Sequence, residues 1–227
     1  MRNKLSAALL VTLSSLGVAG CEYHGSGMDN PIGRKVVWFS FLSGDDIREN
    51  CKPGAPDRMR VVYNGRWMEQ VRVYEVSGRA PYLLDQRVIG PADLSHFNLD
   101  TAIEPLTGKT ALSELTAAQY QTVAASLDAA IAAHPPKVDE MMASDSFYWV
   151  ASACRGGKFT FGAWQYGKPG YAELGFPSQL LAADRTGVAV NPAHDPDSFD
   201  LSNKPKADKE RWYLRIYADR VGGGIGF

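Results

Sequence analysis

The sequence predicts an α+β domain in which an antiparallel sheet, built from hairpins, carries one long helix and one or two short helices on one face. Apolar and aromatic runs of strand length come in pairs, separated by short turns that contain glycine. Only one long segment has apolar residues at helical spacing. We expect roughly six or seven strands, and a strongly bent sheet or a partial barrel is the alternative architecture.

The first twenty residues have the layout of a secretory signal. Arg2 and Lys4 make its start positive, residues 5–16 are uncharged and mostly apolar, and small residues follow. A helix that spans a bilayer needs about 20 apolar residues, so this stretch is too short. It ends at Val18-Ala19-Gly20-Cys21, which resembles the lipobox of bacterial lipoproteins.

The resemblance implies that residues 1–20 are removed and that Cys21 receives a lipid, so that the protein is held on a bacterial membrane and faces the periplasm. In enteric bacteria an Asp after this cysteine favours the inner membrane, so Glu22 favours the outer one. An ordinary cleaved signal followed by an unrelated cysteine is the alternative. Residues 21–33 are expected to form a flexible lipidated tether of about 20 Å, and residues 34–227 a single globular domain.

The domain is expected to start with a strand and a short helix. The apolar run VVWFSFL, residues 36–42, predicts a buried strand. Ser43 is expected to cap a short helix that has Asp45 and Asp46 in its first turn and ends near Cys51.

Asn64-Gly65 is a strong hairpin signal, because a two-residue type I′ turn needs positive φ at both central residues. The flanking strands are expected over residues 58–63 and 66–76. This register places Arg60 opposite Glu69, which is a favourable pairing of charges.

A further strand is predicted over residues 82–89, followed by the long helix. Thr116 and Gln119 resemble a capping box at the start of that helix. One apolar stripe at helical spacing follows, made of Tyr120, Val123, Leu127, Ala130 and Ile131. Pro135-Pro136 are expected to stop the helix. The remaining predicted features are a hairpin over residues 146–154 and 158–166, a short helix over 177–185, a long loop over 187–210, a strand over 211–218 and a flexible tail from 221 onward.

Two cysteines remain after lipidation, Cys51 and Cys154. Export places them where disulfides form and persist, so we expect them to be joined. The alternative is two separate buried thiols that act as small apolar residues.

Composition and motifs exclude several functional classes. The chain has a formal net charge of -1, and the signal carries two positive charges away, so the mature protein is acidic and no nucleic-acid partner is expected. Walker, dinucleotide-binding, HExxH and CxxC motifs are absent from the sequence, and we expect no cofactor. The segment with His194, Asp195, Asp197 and Asp200 has ligand chemistry, but its spacing does not match an EF-hand, and we expect no metal.

Strand alternation places a set of aromatic and arginine side chains opposite the core, and we interpret it as a possible binding face: Tyr148, Tyr213, Arg215 and Tyr217. We therefore expect a non-catalytic, lipid-anchored binding or assembly protein of the cell envelope, whose partner is another envelope protein or a glycan. The alternative is an envelope hydrolase whose acids and histidines converge only in the fold. Its first candidates are Asp45, Asp46, Glu69, Glu75 and His96.

Overall fold

The computed structural model describes residues 22–29, 31–67, 69–90, 108–195 and 212–224. The helices in these ranges are α1 (Pro31–Ser43), α2 (Asp45–Asn50), α3 (Ala117–Ala133) and α4 (Phe176–Ala183). The strands are β1 (Arg58–Gly65), β2 (Val71–Ser77), β3 (Tyr82–Ile89), β4 (Lys109–Leu115), β5 (Met141–Ala143), β6 (Phe147–Arg155), β7 (Lys158–Gln165), β8 (Tyr213–Ile216) and β9 (Val221–Gly224). The predicted signal, Cys21 and His96 lie outside the described residues.

The predicted α+β class is confirmed. A six-stranded antiparallel sheet has the strand order β4-β3-β2-β1-β6-β7, and a three-stranded antiparallel sheet has the order β5-β8-β9. The expectation that helices cover one face of the main sheet is wrong, because both faces are covered. Helices α3 and α4 pack on one face, while α1 and the small sheet pack on the other. The inner strands β1 and β6 are therefore buried along nearly their whole length.

The run at residues 36–42 belongs to helix α1 and not to a strand. Its inward side chains, Val37, Trp38, Phe41 and Leu42, repeat at helical spacing and are buried against the main sheet. The short helix α2 follows as predicted, but Ser43 does not cap it. The hydroxyl of Ser43 instead accepts a hydrogen bond from the backbone N–H of Val221 in β9, at 3.1 Å.

The first hairpin has a different register from the predicted one. Asn64 lies within β1, fully buried, and its side-chain amide donates to the carbonyl oxygens of Ser144 and Ser146 at 3.0 and 2.6 Å. The chain turns later, between β1 and β2, where Arg66 has a φ of 64°. As a result Arg60 lies opposite Glu75 and not opposite Glu69.

The long helix and the second hairpin are confirmed. Thr116 Oγ1 accepts from the backbone N–H of Gln119 at 3.2 Å, and Gln119 Oε1 accepts from the backbone N–H of Thr116 at 2.8 Å, which completes the capping box. The last residue pair between β6 and β7 is Arg155 and Lys158, so the turn consists of Gly156-Gly157. Both glycines have positive φ, as such a turn requires.

The predicted flexible ends pack on the domain where the structure describes them. Val221–Gly224 forms strand β9, which pairs with β8, so the expected flexible tail is wrong for these residues. Tyr23 and Met28 are buried against α1, so residues 22–29 do not extend from the domain as a flexible tether.

Cys51 and Cys154 form the expected disulfide, with Cα atoms 5.5 Å apart. Cys51 follows the last turn of α2, and Cys154 lies near the end of β6. The bridge therefore ties the first helical unit to an inner strand of the main sheet.

Candidate functional site

Three of the four residues of the predicted binding face lie on one surface of the small sheet. Tyr213, Arg215 and Tyr217 point away from the core of the small sheet, and Arg215 donates to Asp139 Oδ1 at 2.6 and 2.9 Å. Tyr148 does not belong with them, because it is completely buried under α1. It lies in β6, a strand covered on both faces, where alternation no longer separates buried from exposed positions.

Two of the predicted catalytic candidates converge. Asp46 of α2 accepts hydrogen bonds from Arg60 at 2.7 and 2.9 Å, and Arg58 lies 2.9 Å from the same carboxylate. Glu75 of β2 accepts from Arg60 at 2.9 Å and also from Arg58. The four side chains form one cluster of ion pairs, which we call the arginine–carboxylate cluster.

The other candidates lie elsewhere. Asp45 pairs with Arg48 of its own helix at 2.6 Å. Glu69 pairs with Arg66 at 2.7 Å and accepts from the side chain of Asn191. Neither joins the arginine–carboxylate cluster.

Arg60 is the buried centre of the cluster, with 1% of its side chain exposed. Its guanidinium lies 3.9 Å from the ring centroid of Phe41 and donates to the Phe41 carbonyl at 3.0 Å. A buried charge of this kind is tolerated only when it is paired and hydrogen-bonded, and Asp46 and Glu75 supply the pairing.

The cluster holds the Glu75 carboxylate ionised. Burial raises the pKa of Glu75, but the charges of Arg60 and Arg58 outweigh burial and hold this pKa below its ordinary value of 4.5. A carboxylate in this state is a poor general acid at neutral pH, because it does not carry a proton. The convergence of Asp46 and Glu75 therefore supports a structural and binding role better than catalysis.

An open groove lies beside the cluster, over the outer strands of the main sheet. It has a volume of about 420 Å³, within the ordinary size range of ligand sites. A second cavity of about 260 Å³ adjoins it, and the two share Arg58, Glu75 and Asp85. We call the two together the outer-strand groove.

Asp85 is an exposed carboxylate at the middle of this groove, where the two cavities meet. It lies opposite Glu75 on one side and opposite Leu112 on the other in the strand register. Burial raises the pKa of Asp85, and the neighbouring negative charge of Glu75 raises it further, although Arg87 opposes this. A cationic group placed beside Asp85 would relieve this repulsion.

Apolar side chains flank Asp85 in the groove. Leu83 is 38% exposed and Leu112 is 66% exposed, and both line the same cavity. The groove thus combines an acidic position with an apolar surface. Sequence reasoning identified β3 as a strand but missed Asp85 and Leu83 as site residues. The alternation of Leu83, Asp85 and Arg87 along β3 was the available signal.

Comparisons with protein-family models, with curated proteins and with solved structures found no match to this chain. Among the described residues, no group of three His, Cys, Asp or Glu side chains is arranged to hold a metal ion. Asp197 and Asp200 of the acidic segment lie outside those residues. None of the helices in the described ranges is long and apolar enough to cross a membrane.

Proposed function

We propose that this protein is a lipid-anchored, non-catalytic binding or assembly module of the bacterial envelope, facing the periplasm. Its binding site is the outer-strand groove, and its ligand is a basic, partly apolar segment of another envelope protein. The observation that carries this proposal is the position of Asp85, an exposed carboxylate between Glu75 and the exposed Leu112. Asp46 and Glu75, in contrast, are already neutralised by arginines.

The chemistry of the groove favours a protein segment over a glycan. A lysine or arginine of the ligand would pair with Asp85, and an apolar side chain beside it would cover Leu83 and Leu112. Strand β4 is the last strand of the main sheet in the described ranges, so its outer edge can pair with an added strand. Sugar-binding sites stack their ligands on exposed aromatic rings. Tyr23 and Phe41, at the end of the groove, are instead buried.

Lipid attachment at Cys21 is supported by the lipobox and by the charged, apolar segment before it. Mass spectrometry of the mature N-terminus should show an acylated cysteine, and the protein should fractionate with membranes, the outer membrane in particular. Cys21→Ser should release the protein or trap its precursor. An unmodified protein that is cut at another site and is soluble in the periplasm would contradict the anchor.

Site-specific photo-crosslinking in living cells tests the groove. A photoreactive residue at Leu112 should give a discrete crosslinked protein, and Asp85→Asn should lower the yield about tenfold, the loss expected for one charge-assisted contact of roughly 1.4 kcal/mol. The matched control places the same residue at Gln121, an exposed position on α3 across the sheet.

Three outcomes would count against this use of the groove. The same crosslinked bands at Leu112 and Gln121 would indicate random collision. Products sensitive to peptidoglycan hydrolases would indicate a glycan ligand instead. If the crosslinking yield at Leu112 is the same in Asp85→Asn as in the wild type, Asp85 does not contact the ligand.

A further inference from the structure

The outward face of the first two turns of α1 is apolar, although the described part of the domain does not cover it. Ile32 is 80% exposed and Val36 is 47% exposed, and they lie four residues apart, on successive turns of one side of the helix. Lys35 is the exposed charged residue beside them. A surface helix of a soluble domain ordinarily carries charged and polar residues on its outward side, so this face is unusual.

The chain that comes from the anchor packs along an adjoining side of α1. The backbone N–H of Tyr23 donates to Ser40 Oγ at 2.8 Å, and Ser40 lies one turn after Val36 on the helix. The ring of Tyr23 packs edge-on against Phe41, with 4.9 Å between centroids. The carbonyl of Met28 accepts from Arg34 of α1 at 3.2 and 3.3 Å. Residues 23–28 are therefore clamped along the helix.

This clamp limits how far the lipid can lie from α1. Cys21 precedes Tyr23 by two residues, and two residues of chain span at most about 7 Å in any conformation. One helical turn separates Ser40 from Val36, which adds about 6 Å along the axis. With the hydrogen bond and side chain between them, the covalent reach from Val36 to a lipid-bearing residue two positions before Tyr23 is at most roughly 20 Å. A membrane that holds the lipid of Cys21 must therefore approach this end of the domain.

We propose that the outward face of α1, formed by Ile32, Lys35 and Val36, lies against the lipid surface in which Cys21 is anchored. This inference rests on the proposed lipid anchor. Ile32 and Val36 enter the boundary between headgroups and acyl chains, as apolar residues of interfacial helices do. Lys35 keeps its ammonium group among the lipid phosphates. The domain is then held by two attachments, and the outer-strand groove has a fixed orientation to the membrane.

The test uses the full lipidated protein in vesicles of phosphatidylethanolamine and phosphatidylglycerol. Val36→Cys is labelled with an environment-sensitive fluorophore, because Cys21 carries the lipid and the other two cysteines form the disulfide. We expect a blue-shifted emission and at least twofold stronger quenching by brominated acyl chains than for the same label at Gln121→Cys, an exposed position on α3. Adding Ile32→Asp should return the emission of the label at position 36 to that of a solvent-exposed probe.

Vesicle flotation, measured on the same samples, separates the failure of the docking from the failure of the anchor. If the protein floats with the vesicles but positions 36 and 121 are quenched equally, the docking of α1 is wrong while the anchor stands. If the protein does not float, the anchor is absent and the docking fails with it. Emission at position 36 that stays blue-shifted in the Ile32→Asp variant would also contradict the docking.

Discussion

Arg60 is a charged side chain in the interior of the domain, and its charge is compensated from several directions. Asp46 and Glu75 pair with it at 2.7 and 2.9 Å, and the Phe41 carbonyl accepts a further hydrogen bond. Removing Arg60 would leave the two carboxylates buried without a partner. The free-energy cost of such unpaired buried charges exceeds the stabilisation that the ion pairs supplied. The fold therefore requires Arg60 at this buried position.

Arg60→Met should therefore destabilise the domain by about 3–5 kcal/mol, measured by urea unfolding. The matched control is Arg220→Met, whose exposed pair with Asp219 is expected to contribute less than about 1 kcal/mol. Equal losses for the two variants would mean that Arg58 alone can neutralise both carboxylates of the cluster.

The same cluster predicts how stability depends on pH. Because the arginines hold the pKa of Glu75 below 4.5, this group contributes stability above its unfolded pKa and loses that contribution as pH falls through the folded pKa. Unfolding free energy should thus begin to fall as the pH drops below about 5 and should continue to fall down to the lowered pKa of Glu75. The decline should be shallower in Glu75→Gln, which has no proton to take up at this position. If the curves of unfolding free energy against pH are parallel for the wild type and Glu75→Gln, Glu75 does not contribute to the acid sensitivity.

At the scale of elements, local signals predicted structure well where tertiary contacts agreed with them. The capping box at Thr116 is satisfied within its own segment. The turn after Arg155 uses two glycines with positive φ, and its Gly156 N–H also donates to Asp57 at 2.8 Å. Both features formed as predicted. The apolar run at residues 36–42 was ambiguous, since a buried helix and a buried strand have the same composition. Its helical spacing becomes evident only when the run is extended back to Pro31.

Tertiary contacts overrode two other local signals. Asn64 lies within β1 because its side-chain amide donates hydrogen bonds to the carbonyl oxygens of Ser144 and Ser146. The turn therefore follows Asn64 and does not include it. Strand β4 was not predicted at all. Its residues are largely exposed, so it has little of the apolar alternation that identifies a strand.

The disulfide joins α2 to β6 across a sequence separation of 103 residues, so its loss should affect the stability of the whole domain. Cys51→Ala and Cys154→Ala should each lower the unfolding free energy by about 2–5 kcal/mol, by similar amounts. The double variant should be no less stable than either single one, since all three lose the same bridge. Additive losses in urea unfolding would mean that the two residues act independently. Non-reducing peptide mapping of the exported protein provides the direct check.

For the whole molecule, the layered architecture decides which charged residues can form a site. Asp46 and Glu75 were candidates from the sequence, but their partnership with Arg58 and Arg60 depends on the packing of α2 against two strands. That packing is a long-range contact which no local pattern encodes. Within the described ranges, the groove likewise lies over β3 and β4 on the face of the sheet where α1 and α2 pack against β6.

The architecture also couples the anchor to the domain, through Tyr23. This side chain is 6% exposed, and its ring packs against Phe41 and lies 5.0 Å from the guanidinium of Arg60. In the unlipidated domain of residues 22–227, Tyr23→Ala should lower the unfolding free energy by about 3 kcal/mol, because it empties a buried aromatic site. His24→Ala is the adjacent control, and its exposed side chain should contribute less than about 0.5 kcal/mol. Both are measured by urea unfolding. If Tyr23→Ala costs no more than His24→Ala, residues 22–29 act as a loose tether after all, and the lipid would no longer fix how α1 meets the membrane.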